Sequence, residues 1–206
     1  MTSFDPNSTA VVAVHFQNDI VGPDGAFAGF FRAEVERTGV LDTAARLLDG
    51  ARAAGVPVVY TRVAWKEDYS DLNANSLLLG MVTQTGCLKD GSTGAAITDE
   101  VTPQGRDHVV THQRVGGFAD SDLDATLRGL GVTTLVFTGV ATNASVEGTA
   151  RGASDLGYRT VVVADACSAG SPEAHAASLE SLGLLAEIAT TDEVLAGLAQ
   201  PAAANA

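Results

Sequence analysis

The sequence predicts an α/β domain of three layers, with helices on both faces of a doubly wound, six-stranded, mainly parallel sheet. Three observations carry that prediction. Short runs rich in Val, Ile and Thr recur at residues 10–15, 57–63, 108–112, 133–140, 160–165 and 186–190. They are nearly continuous in apolar residues, as strands covered on both faces must be. Helical patterns separate them, and repeated strand–helix–strand alternation implies right-handed crossovers. The connections at 17–31 and 64–103 are long. In an open parallel sheet, loops at the carboxyl ends of strands build the ligand crevice, so these two are expected to supply its walls.

Each helix has its own signals. Leu41, Ala44, Ala45, Leu48 and Ala51 keep a helical period that stops at Gly55-Val-Pro57. The stretch 121–130 opens on Ser121 as N-cap and ends before Gly131. Ser171-Pro172 places proline at the first helical position, and Thr191 is the expected cap of the last helix. Residues 1–199 read as one domain and 200–206, Gln-free after Gln200 and rich in Ala, as a flexible C-terminal tail.

Composition narrows the partners. The 206 residues carry 12 Lys and Arg against 25 Asp and Glu, a formal charge of −13. Nucleic acid and anionic membranes both require a basic face, so neither is an expected partner. Residues 1–7 lack the basic and apolar regions of a signal peptide, and no run has the length of a membrane span. Cys87 and Cys167 show no metal or CxxC spacing and read as reduced structural thiols. The expectation is a cytoplasmic protein acting on a small molecule. No cofactor is expected, because the glycines form no phosphate-binding loop.

The most informative stretch is Gly139-Val-Ala-Thr-Asn-Ala-Ser-Val146, where a strand ends and a helix is expected to open at about Asn143. Ser145 would then lie in the first helical turn, where free N–H groups and the helix dipole stabilise developing negative charge. An acyl-transfer enzyme places a nucleophile and oxyanion hole in such a turn. A serine there is also a common capping residue. His15 and His112 each end a strand run, a place equally suited to a hydrogen-bonded structural histidine. His108 and His175 read as structural or surface residues.

Three blocks in order resemble the isochorismatase-like (cysteine hydrolase) superfamily. Val11-Val-Ala-Val-His-Phe-Gln-Asn-Asp19 is similar to the family's V-I-D-M-Q-N-D, and Val109-Val-Thr-His-Gln-Arg-Val-Gly-Gly-Phe118 to V-V-T-K-x-R-x-S-A-F. The Ser145 turn is similar to G-V-A-T-N-x-C-V, with Glu147, Thr149, Ala150 and Arg151 matching downstream. The resemblance implies an isochorismatase-like fold, hydrolysis of amide, ester or carbamoyl bonds, and a homo-oligomer, dimer or tetramer. It also implies a cis peptide between Val140 and Ala141. The family's Asp, Lys and Cys triad falls on His15, His112 and Ser145, so all three residue types differ.

The replacements are chemically coherent. A serine hydroxyl is far less acidic than a thiol and needs a general base, for which histidine is suited near neutral pH. His15 is the expected base for Ser145, and His112 a second proton carrier or a group that polarises the substrate. Proton transfer by the two imidazoles without a covalent step is the alternative, and a silent binding protein is the third. Ala141 and Ser145 N–H groups are the expected oxyanion hole. Gln17 is a candidate for orienting a catalytic partner. Phe118 and Trp65 are candidates for pocket walls, and Arg114 for binding a carboxylate. Asp19 and Asp165, near strand ends, are expected to cap loops. No metal is expected, since the segment 60–69 lacks the paired histidines that nicotinamidase-like members carry there.

Overall fold

The computed structural model describes residues 3–199, so the tail at 200–206 lies outside the described residues. Its elements follow the expected alternation. β1 (Thr9–Val14) leads to α1 (Asn18–Val21), α2 (Ala28–Thr38) and α3 (Val40–Ala53), then β2 (Val58–Val63) and α4 (Leu77–Thr85). β3 (His108–His112), α5 (Leu123–Gly129) and β4 (Thr134–Val140) come next. A five-residue turn precedes α6 (Glu147–Asp155), followed by β5 (Arg159–Ser168), α7 (Pro172–Leu182), β6 (Glu187–Ala189) and α8 (Thr191–Leu198).

All six strands are parallel, in the order β3-β2-β1-β4-β5-β6. The chain winds one way from β1 through β2 to β3 and the other way from β4 outward. The reversal leaves a crevice beyond the carboxyl ends of β1 and β4, which pair from Thr9 with Thr134 to Val14 with Gly139. Glycine is required at that last position. Gly139 has φ +147°, and a Cβ there would lie 2.2 Å from the Val14 carbonyl oxygen. The close approach brings the turn after β4 against the end of β1.

Alternate strand residues feed two cores. Val11, Ala13, Val58, Tyr60 and Val136 pack under α3 and α8, whose Leu47, Leu48 and Val194 are buried. Val12, Val14, Val59, Leu135 and Phe137 pack beneath α5 and α6 with Leu123, Leu127 and Ala150. That division is the physical reason each strand is apolar on both faces.

Four boundaries depart from the sequence reading. The connection at 17–31 is not open loop: it holds α1 and the start of α2. The cap of α8 is Thr190, one residue earlier than expected, because Glu193 closes a reciprocal capping box on it. Ser121 is not the N-cap of α5. Asp122 holds that place, while the Ser121 hydroxyl donates to the Gly117 carbonyl and accepts from the Leu123 N–H. β5 continues past Asp165 to Ser168, after an irregularity in its register with β4.

Candidate active site

The first component is the turn after β4. The Val140–Ala141 peptide is cis. Residues Thr142–Val146 form a single wide π-type turn, closed by the Val146 N–H on the Ala141 carbonyl at 3.1 Å. The α-helix therefore starts at Glu147 rather than near Asn143, and Ser145 stands in the turn that precedes it. Such π turns recur at functional sites because they re-aim side chains. The turn is buttressed from behind. Thr149 Oγ1 donates to the Ser145 carbonyl at 2.6 Å and accepts from the Gly117 N–H at 2.9 Å. Thr142 Oγ1 meets His175 Nδ1 at 2.8 Å, and Ser178 Oγ bridges the Thr142 carbonyl and the Glu147 carboxylate.

The second component is the end of β1. His15 has φ +54°, a left-handed conformation that few side chains other than Asn, Asp and His adopt. Its N–H still bonds the Thr61 carbonyl at 3.0 Å, so the main chain stays in the sheet while the side chain turns to the crevice.

His112 ends β3 two strands away, opposite Val63. It nevertheless reaches His15: the two Nε2 atoms are 2.8 Å apart and the rings lie 4.9 Å between centroids. A contact between two ring nitrogens needs one N–H and one lone pair, so the two imidazoles share a proton between them. Burial drives the His15 pKa well below 6.5, and the nearby His112 lowers it further. Burial likewise pushes His112 down to about 4, slightly offset by the Arg114 backbone. Both rings are neutral at pH 7. His112 Nδ1 is buried without a partner of sound hydrogen-bond geometry, as is the Trp65 indole N–H.

His15, Ala141 and Ser145 line one cavity of about 60 Å³, together with Trp65 and Arg114. The two long connections supply most of its remaining wall. Ile20, Phe27 and Phe31 come from the first, Leu78, Leu79, Val82 and Leu88 from the second. Among the described residues, Ser145 Oγ makes no hydrogen bond to either imidazole.

Three expected site residues lie elsewhere or act otherwise. Gln17 is fully buried and spent on structure: its amide donates to the carbonyls of Val63 and Ala95 and accepts from the Val63 N–H. It clamps the loop 86–98 to the ends of β1 and β2. Phe118 is absent from the cavity wall; it stacks on Tyr158 at 6.1 Å and packs over Gly152, on the other core. His112 stands behind His15 and is not among the residues that line the cavity. Arg114 lines the rim, paired with Asp120 at 3.2 Å. Asp19 and Asp165 cap loops, accepting from the N–H groups of Leu88 and Thr191. The apolar residues of α4 were not singled out from the sequence. Their signal was a Ser76 cap followed by Leu77, Leu78, Leu79 and Val82 inside a long connection.

Residues 9–193 match the isochorismatase domain. The chain belongs to the isochorismatase family. A ureidoacrylate amidohydrolase RutB from Methylobacterium radiotolerans is 34% identical over 213 residues, 94% of this chain and 81% of that protein. A cysteine hydrolase from Pseudomonas syringae pv. phaseolicola superimposes with a TM-score of 0.85 at 27% identity, covering 96% of this chain and 95% of that one. N-carbamoylsarcosine amidase from Thermoplasma acidophilum gives 0.73 at 26% identity, over 91% and 98% of the two chains. The chain is thus a hydrolase of the isochorismatase family. Among the described residues no group of three or more His, Cys, Asp or Glu could hold a metal, and no helix is long and apolar enough to cross a membrane.

Proposed function

We propose that this hydrolase cleaves a carboxamide or related acyl bond, with Ser145 as nucleophile and His15 as general base. The carrying observation is that Ser145 and His15 face one cavity while His112 occupies the far nitrogen of His15. With His15 Nε2 held by His112, Nδ1 is the ring atom available to take a proton. The C–N preference rests on relatives named an amidohydrolase and an amidase.

In the first half-reaction Ser145 Oγ bonds to the substrate carbonyl carbon as its proton passes to His15 Nδ1. The oxyanion is received by the N–H groups of Ala141 and Ser145. The C–N bond then breaks and the same proton goes to the leaving nitrogen. Water repeats the sequence on the acyl-serine and releases the acid. The transient imidazolium donates from Nε2 to neutral His112, a charge-assisted bond stronger than the resting one. His112 thus plays the part a carboxylate plays in other serine sites.

An activated ester or fluorophosphonate should add one acyl or phosphonyl mass at Ser145 in a peptide map, with no adduct on S145A. Unimpaired turnover by S145A overturns covalent catalysis. A second reading then applies, favoured by the missing Ser145–imidazole hydrogen bond: His15 activates water directly, and only its replacement abolishes turnover.

A further inference from the structure

We infer that the cavity selects a neutral amide with a small, branched apolar acyl group rather than a ureido acid. The inference rests on the amide-hydrolase reading above and specifies its substrate class. The chemistry-bearing groups His15, Ala141 and Ser145 line the cavity. Away from them the wall is made by Phe27, Phe31, Trp65, Leu79, Val82 and Leu88. Among the described residues Arg114 is the one with a permanent charge that lines the cavity, and its Nε pairs with Asp120 at 3.2 Å. A scissile amide placed against those groups has a predominantly apolar wall to receive its acyl substituent.

Size and solvation fix the class. A cavity of about 60 Å³ favours a short, compact alkyl substituent. A carboxylate or second urea pushed against Phe27, Phe31, Leu79, Val82 and Leu88 would lose its water and find no hydrogen-bonding side chain among them, which polar groups resist strongly. An alkyl group gains about fourfold in binding for each methylene it buries, a figure that follows from the transfer free energy of one methylene.

The test separates binding from chemistry. Acetamide, propionamide, isobutyramide, benzamide and the ureido acid N-carbamoylglycine are titrated calorimetrically into S145A, and ammonia release is measured with the wild type. Affinity for S145A should climb about fourfold per added carbon up to isobutyramide and fall for benzamide. N-carbamoylglycine should bind at least about tenfold more weakly than isobutyramide. F31A, whose fold is checked by its circular dichroism spectrum, should shift the optimum toward benzamide by opening the half-buried end of the wall. Tighter binding of N-carbamoylglycine than of isobutyramide, or a flat series, overturns the inference, as does an unchanged optimum in F31A. If the amides bind S145A in the expected order but the wild type releases no ammonia, the hydrolytic reading fails while the selectivity stands.

Discussion

Two buried polar clusters sit at opposite ends of the same sheet, and they are finished differently. Near the amino ends, Arg52 binds Asp107 at 2.7 Å, Asp49 at 2.8 Å and the Tyr60 hydroxyl at 2.8 Å. Asp107 also accepts the Gln104 N–H, and Tyr60 donates onward to the Val101 carbonyl. Burial pushes the Tyr60 hydroxyl up to about 12, so it remains a donor. At the carboxyl ends, His15 and His112 meet at 2.8 Å with the Arg114 backbone close to His112, and among the described residues His112 Nδ1 and Trp65 Nε1 are buried without a hydrogen bond of sound geometry. A fully paired network fixes an architecture. An incompletely paired one is kept where a ligand completes it. The first should therefore answer to stability measurements and the second to kinetics.

The sharpest way to break that comparison is S145A. Loss of the nucleophile should lower kcat by about 10³-fold or more while leaving the melting temperature within a degree or two. H15N comes next. Asparagine accepts the left-handed backbone of His15, so the variant isolates the base from the fold. Its kcat should fall by about 10²- to 10⁴-fold, the range of a lost general base. Substantial unfolding of either variant would mean that the carboxyl-end cluster is structural after all.

The sequence made the two ends of the sheet unequally visible. Strand positions were readable because buried parallel strands are apolar along their length, and β1, β2, β3 and β4 lie within a residue or two of expectation. His15 was readable because it directly follows such a strand, and Ser145 because it lies in the turn after another. The contact between His15 and His112 was not, since strand order depends on long-range pairing that no local pattern encodes. Gln17 was ambiguous for a related reason: a glutamine at a strand end looks the same whether it faces substrate or the Val63 and Ala95 carbonyls it bonds here. Phe118 ends a motif block yet turns to the opposite core, because the loop after β3 runs back over α6 toward Gly152. α2 escaped notice because its one buried residue is Val35, too little apolar face to mark a helical period.

At the amino end the expected readout reverses. D107A removes the partner of a side chain that is only 17% exposed and leaves Arg52 short of its main ligand. Deleting one member of such a buried pair costs about 3–5 kcal/mol. Chemical denaturation should register that loss, and kcat/KM at a temperature where the variant is folded should match the wild type. A kinetic defect in folded D107A would show that the two ends communicate.

Acid separates the clusters by the smallest margin and in a fixed direction. His112 titrates near 4 when folded and near 6.5 when unfolded, so between those values the unfolded chain binds more protons. Its contribution to stability is therefore intact above about pH 6.5 and declines as the pH falls toward 4. The full loss is on the order of 3 kcal/mol, from a downward displacement of about two to three pH units. His15 is displaced in the same direction and adds to the loss over the acid side of the same window. With His15 as the proposed general base, held neutral by burial, kcat/KM should be level at neutral pH and fall on an acid limb lying below 6.5. H112N should flatten the stability profile between pH 6.5 and 4 relative to wild type. An unchanged slope in that variant would show that His112 is not the group whose forced neutrality the fold sustains.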